Sequence, residues 1–92
     1  MIINIPEELT IYLQMLAHEV EARKDLLAYM LKLDTPKEKY DKIFNEYLEK
    51  YMEYKLAKEE LFNLHIKPLN VAENTIWKLN FNTCECEINI NE

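Results

Sequence analysis

The chain has 92 residues, 30% of them charged, and a formal net charge of -6. This length and composition are typical of one folded domain over 1–92. The sequence contains no Gly, and this excludes the glycine loops that bind phosphate or dinucleotides. It also contains no Ser, which excludes a serine nucleophile. The negative charge argues against direct nucleic-acid binding, because the phosphate backbone requires clustered Lys and Arg.

Three features of the sequence predict that the protein is cytoplasmic. The first residues carry neither a basic segment nor a long apolar run, so we expect no signal peptide. Nowhere does the sequence approach about 18 consecutive apolar residues, so we expect no membrane contact. Cys84 and Cys86 are one residue apart, which disfavours a disulfide between them and predicts free thiols.

A first helix is predicted over 6–33. Residues 1–5 are apolar and suit a short strand, and Pro6 followed by Glu7 and Glu8 is typical of a helix beginning. The apolar positions of this helix cover an arc of roughly 200°, about twice the width found on a surface helix. They form two neighbouring stripes, one of Leu9, Leu13, Leu16, Val20, Leu27 and Leu31, the other of Ile11, Met15, Ala22, Leu26, Tyr29 and Leu33.

A second helix is predicted over 36–64. Thr35 is placed to cap it, with Pro36 at its first position and Glu38 completing a capping box. Alternating steps of four and three residues along its main stripe are typical of a coiled-coil seam. Because the turn between the helices is short, they should form an antiparallel hairpin. The stripe consists of Tyr40, Phe44, Tyr47, Tyr51, Tyr54, Lys58, Leu61 and His65.

The last part of the chain alternates apolar and polar residues with a period of two, which predicts β-strands. We expect an antiparallel hairpin over 76–81 and 84–90, joined by a two-residue turn at 82–83, with a bulge as the alternative. Residues 1–5 would add a third strand, because a two-stranded ribbon alone is only marginally stable. The predicted class is α+β and mostly helical.

The wide apolar arc of the first helix predicts a homo-oligomer, most simply a dimer with a four-helix bundle. The alternative is that the C-terminal strands cover the arc in a monomer. Glu19 and Arg23 lie four residues apart inside the arc, either as an interface pair or as an ordinary intrahelical salt bridge. The predicted interface residues are Glu19, Arg23, Tyr12, Met15, Leu26, Met30, Tyr47, Tyr51, Tyr54, Trp77 and Phe81.

The sequence contains residues for two kinds of chemical site, a metal site and a catalytic site. Cys84 and Cys86, with His65 or His18, have the ligand types of a zinc site, but their spacing is unusual for one. The preferred interpretation is two small apolar core residues that continue the face of Ile88 and Ile90. Neither His has a nucleophilic or acidic companion that would build a catalytic site. We therefore expect no catalytic residues, no cofactor and no enzyme activity.

Together these features predict a non-enzymatic protein-interaction protein with an unidentified protein partner: an adaptor, assembly factor or regulatory subunit. Its composition is also common among accessory proteins of phages and mobile elements. One alternative is a small acidic inhibitor that imitates nucleic acid and blocks the groove of another protein. A second alternative is a thiol metal-binding module built on Cys84 and Cys86.

Overall fold

The structure is a computed structural model that describes residues 1–71 and 75–89. These residues form two long helices and a small antiparallel sheet, which confirms the predicted α+β, mostly helical class. The molecule extends over 49 × 25 × 18 Å. The elements are β1 (Ile2–Asn4), α1 (Glu7–Lys32), α2 (Lys37–Leu61), a π-helical turn (Phe62–Ile66), a 3-10 turn (Lys67–Leu69), β2 (Ile76–Asn80) and β3 (Glu85–Asn89).

Both helices begin one residue later than predicted. Pro6 and Pro36 lie at the N-cap positions with extended backbone, at ψ 137° and 140°, and helical geometry starts at the residue after each. Thr35 therefore lies one residue too early to cap α2. The predicted capping box between Thr35 and Glu38 is wrong for this reason.

The two helices are joined by a tight turn that contains no glycine. Asp34 adopts a left-handed conformation, with φ 54°, which Asp tolerates better than most residues. The amide of Thr35 donates a 3.2 Å hydrogen bond to the carbonyl of Met30. This turn folds α2 back along α1 and produces the predicted helical hairpin.

The end of α2 departs from α-helical geometry at Leu61, before the predicted end at Leu64. Pro68 has no amide hydrogen and cannot donate to the carbonyl four residues earlier. The helix therefore does not continue with α-helical geometry but widens into the π-helical turn. This geometry keeps Leu61 and Ile66 completely buried while Leu64 stays exposed.

The sheet has β3 at its centre, with the order β1-β3-β2 and both pairings antiparallel. Ile3 of β1 and Leu79 of β2 both lie opposite Cys86, and Trp77 lies opposite Ile88. These residues share the inner face of the sheet. The short strand predicted at the start of the chain is confirmed, and it covers one edge of β3.

The β-hairpin is confirmed, but its predicted two-residue turn is wrong. The turn has four residues, from Phe81 to Cys84, and the amide of Cys84 donates a 2.9 Å hydrogen bond to the carbonyl of Asn80. Cys84 has φ 58°, a left-handed conformation that cannot continue a strand. Phe81 and Cys84 thus leave the predicted strands, and Ile90 lies outside the described residues.

The core lies where the inner face of the sheet meets the neighbouring ends of the two helices. Thr10 is buried there, and its hydroxyl donates a 3.0 Å hydrogen bond to the carbonyl of Pro6, which satisfies the polar group. The buried cluster consists of Ile5, Leu13, Leu16, Ala57, Leu61, Ile66, Cys86 and Ile88.

The stripe predicted as the seam of α2 is buried only in part: its member Leu61 lies in the core and Tyr54 packs against it, but the aromatic residues before Tyr54 lie outside the buried cluster. Ala57 and Leu61 are buried in the core, whereas Phe44 and Tyr51 are exposed. A small residue such as Ala57 allows two helices to approach closely, so the larger aromatic rings lie at the edge of the contact. Within the described ranges, the structure has no helix with the length and hydrophobicity needed to span a membrane.

Candidate interaction surfaces

One long exposed apolar surface is a face of α1 that we call the outer stripe. All its members are exposed, and the five large ones are each at least 42% exposed. The other apolar stripe of α1 contributes Leu13, Leu16 and Val20 to the interior instead. A long exposed apolar face usually marks an interaction site, because soluble proteins seldom leave so much contiguous apolar surface in contact with water. The outer stripe consists of Ile11, Met15, Ala22, Leu26, Tyr29 and Leu33.

Glu19 and Arg23 form the predicted salt bridge at one edge of the outer stripe. Nη1 of Arg23 donates to the carboxylate of Glu19 and, over 3.1 Å, to its carbonyl. Nε of Arg23 is buried and finds no acceptor within residues 1–71 and 75–89. The hydrogen-bonding groups of this guanidinium are therefore incompletely satisfied by a single chain.

The remaining predicted interface residues of α1 differ in exposure. Tyr12 is exposed and borders a shallow cleft of about 260 Å³ that reaches Glu53 and Leu56 of α2. Met30 is buried within the helical hairpin. Met30 thus contributes to the fold of one chain rather than to its surface.

A second surface runs along α2, and we call it the aromatic row: Tyr40, Phe44, Tyr47 and Tyr51. Neighbouring rings are stacked with centroids 6.3, 6.3 and 6.1 Å apart. The three- and four-residue spacing places these rings on one face of the helix. Rigid aromatic side chains of this kind are enriched in protein interfaces, because they bury a large area at a small entropic cost.

The aromatic row ends at an open cavity of about 450 Å³ between α2 and the sheet, which we call the aromatic cavity. Its walls include Tyr51, Tyr54, Phe62 and Trp77. Nζ of Lys58 lies 5.2 Å from the ring centroid of Tyr54 and 5.9 Å from that of Trp77, within the range of a cation–π contact. Burial raises the pKa of the Tyr54 hydroxyl above its ordinary value.

Sequence reasoning predicted Tyr54 and Trp77 as site residues but missed Lys58 and Phe62. The four-residue spacing between Tyr54 and Lys58 was a usable signal, because it places the ammonium group beside the ring. Nothing local indicates that Trp77 packs against the same lysine. That contact depends on how the sheet is placed against α2.

A larger cavity of about 680 Å³ lies between α1 and the sheet, and Phe81 contributes to its wall. Its charged lining is mainly acidic, with Glu21, Glu85 and Glu87 against Lys78. Phe81 is only partly buried and also packs against the core. The lining of the cavity therefore combines apolar side chains with mainly acidic charged ones.

The predicted thiol site is not assembled in the described part of the chain. Cys84 and Cys86 are both free thiols, and Cys86 is completely buried in the core. Burial raises the pKa of the Cys86 thiol, although a hydrogen bond from the backbone of Lys78 opposes this. Residues 1–71 and 75–89 contain no cluster of three or more potential metal ligands, so neither His65 nor His18 joins the cysteines in one.

Comparisons with protein-family models, curated proteins and solved structures find no match to this chain. Functional inference therefore depends on the surfaces described above.

Proposed function

We propose that this chain is a non-enzymatic protein-interaction protein that acts as a homo-oligomer, serving as an adaptor, assembly factor or regulatory subunit. The observation that carries this proposal is the outer stripe of α1. Each of its large apolar side chains remains exposed after the sheet and α2 have packed against the other side of the helix. Association removes such surface from water, at roughly 25 cal/mol per Å².

The aromatic row gives the assembled protein a separate surface for its partner. The row and the aromatic cavity lie on α2 and the sheet, whereas the outer stripe belongs to α1. A protein that uses the outer stripe for self-association thus retains stacked rings for a second contact. Partly exposed Tyr and Trp side chains are common energetic centres of such contacts.

We also propose that the protein is cytoplasmic. The support for this proposal is the pair of free thiols at Cys84 and Cys86, because the reducing conditions of that compartment preserve free cysteines.

Light scattering on a size-exclusion column, over a hundredfold range of concentration, tests the proposed self-association. We expect a mass near twice 11.1 kDa. Met15→Glu should give a monomer, because it places a charge in the outer stripe. Met52→Glu is the matched control, since Met15 and Met52 are 53% and 51% exposed. A monomeric wild-type protein at every concentration, or equal effects of the two variants, would contradict the proposal.

The cavity of about 680 Å³ between α1 and the sheet favours a second candidate function, an inhibitor that occupies a basic groove of another protein. Glu21, Glu85 and Glu87 line this cavity together, and their charges would complement Lys and Arg on a target. Partner binding should then weaken steeply as the salt concentration rises. Binding that is independent of salt would exclude this candidate and favour the apolar surfaces.

A further inference from the structure

The outer stripe is symmetric about Ala22. Met15 and Tyr29 each lie 7 residues from Ala22, and Ile11 and Leu33 each lie 11 residues from it. At 3.6 residues per turn, steps of 4, 7 and 11 residues return to the same face of a helix. The spacing of these four large apolar residues is consequently the same when the face is followed in either direction.

The face has one polar member, which also obeys the symmetry. His18 and Leu26 each lie 4 residues from Ala22, and both are exposed. The smallest side chain of the face therefore stands at its centre, between two matching sets of larger ones. A small residue at a crossing point allows helix axes to approach at the short end of the usual 8–10 Å range.

Resting on the proposed function, we infer that two copies of this chain pack α1 against α1 in an antiparallel arrangement, with the two-fold axis at Ala22. This arrangement sets Met15 opposite the partner's Tyr29, and Ile11 opposite the partner's Leu33. Each contact occurs twice, as a two-fold interface requires. The face between Ile11 and Leu33 is about 33 Å long at 1.5 Å per residue.

The charged residues beside the outer stripe favour the antiparallel direction. Glu19 and Arg23 lie on one flank of the stripe, while Glu21 and Asp25 lie on the other. An antiparallel two-fold axis brings identical flanks together, so Glu19 meets the partner's Arg23 at an axial offset of about 3 Å. A parallel pair would instead bring Glu19 against the acidic flank.

The salt bridge within one chain is compatible with this second contact. The side chain of Glu19 is 43% exposed, and the side chain of Arg23 is 24% exposed. Both groups are therefore accessible to a partner while they hold each other.

Engineered cysteines test the position of the axis. Ala22→Cys should form a disulfide-linked dimer under mild oxidation, because the axis brings the two copies of this residue together. Ala28→Cys is the matched control: Ala28 is an exposed alanine of the same helix, on a different face. Both variants are made with Cys84→Asn, which leaves Cys86 buried. Equal crosslinking of the two variants would overturn the inference.

The direction of packing is tested by mixing two variants in the same background. Met15→Cys and Tyr29→Cys should each crosslink poorly alone and efficiently as an equimolar mixture. Efficient crosslinking of each variant alone would indicate a parallel pair and overturn the inference. Circular dichroism confirms that each variant is folded, which is expected because both side chains are exposed.

Charge reversal tests the predicted contact between Glu19 and the partner's Arg23. Glu19→Arg and Arg23→Glu should each raise the dimer Kd about tenfold, and their mixture should restore a heterodimer of near wild-type affinity. If the two substitutions act only by breaking the salt bridge within one chain, mixing the variants will not restore dimer affinity. That result would overturn the predicted contact between Glu19 and the partner's Arg23.

The outcomes separate this inference from the proposed function. A wild-type dimer in which Ala22→Cys does not crosslink would leave the proposed self-association standing and overturn the α1 geometry. A wild-type monomer at every concentration would contradict both.

Discussion

The amide of Ile5 donates a 2.8 Å hydrogen bond to the carbonyl of Cys84. This bond links the short connection between β1 and α1 to the turn of the β-hairpin. Ile5 is buried in the core, and Cys84 holds a left-handed backbone conformation. The direction of the Cys84 carbonyl, and with it the pairing of β1, thus depends on a conformation that is unfavourable for Cys.

Substitution of Cys84 should change stability according to the tolerance of the new residue for positive φ. Cys84→Asn should raise the free energy of unfolding by about 0.5–1 kcal/mol, because Asn adopts the left-handed region readily. Cys84→Val should lower it by about 1–2 kcal/mol, since a β-branched side chain is poorly tolerated there. Urea denaturation measures both changes. A Val variant as stable as the wild type would contradict the argument.

The two thiols should react at very different rates. Cys84 is partly exposed, whereas Cys86 is completely buried and its pKa is raised. A colorimetric thiol reagent should therefore modify one thiol quickly in the native protein and the second only on unfolding. The Cys84→Asn variant should lose the fast phase, and two fast thiols in the wild type would contradict the described burial.

The raised pKa of Cys86 also predicts a pH dependence of stability. The unfolded chain releases this proton near its ordinary value of 9.0, while the folded chain retains it to higher pH. The contribution to stability is thus complete below pH 9 and declines as pH rises through the folded pKa. Comparison of urea midpoints at pH 8 and 10 should show a smaller decline for Cys86→Ala than for the wild type.

The π-helical turn predicts opposite consequences for two leucines three positions apart. Leu61 is 0% exposed and Leu64 is 59% exposed. Leu61→Ala should cost about 2–4 kcal/mol because it opens a cavity in the core. Leu64→Ala should change stability by about 0.5 kcal/mol or less. Equal losses in thermal or urea unfolding would mean that α2 continues as a regular helix.

Removal of the Lys58 ammonium should be visible in the fluorescence of Trp77, the single tryptophan of the chain. Lys58→Met keeps an unbranched side chain that is one atom shorter, and it removes the charge that lies 5.9 Å from the indole centroid. We expect a shifted emission maximum and a loss of about 0.5–1 kcal/mol in stability. Lys55→Met, a neighbouring lysine of the same cavity, is the control and should leave the emission unchanged.

The sequence was sufficient to predict the helical hairpin and the strands, because each element has a clear period. It identified the seam of α2 only in part, at Leu61 and Tyr54. The aromatic row and the buried face share the same steps of three and four residues, and spacing alone cannot show that Ala57 rather than Tyr51 lies in the contact. The four-residue turn was also missed, because Cys is an unusual residue for the left-handed position it requires.

Some features of the candidate surfaces followed from local arithmetic, and others required the tertiary structure. The width of the apolar arc predicted that part of α1 would stay exposed, and the spacing of Glu19 and Arg23 predicted their salt bridge. The aromatic cavity depends on Trp77 reaching α2 from a distant strand. A contact of that kind has no signature in either segment alone.

The pairing of Ile2 with Glu87 joins the two ends of the described chain. The helical hairpin forms from segments that are adjacent in sequence, whereas the sheet requires closure of a loop that contains both helices. Such non-local contacts are slow to form. During synthesis, the helices are complete well before β3 has emerged, so Leu13 and Ile66 remain in contact with water until the sheet arrives to cover them. The newly made chain therefore passes through a stage in which its core is open on one side.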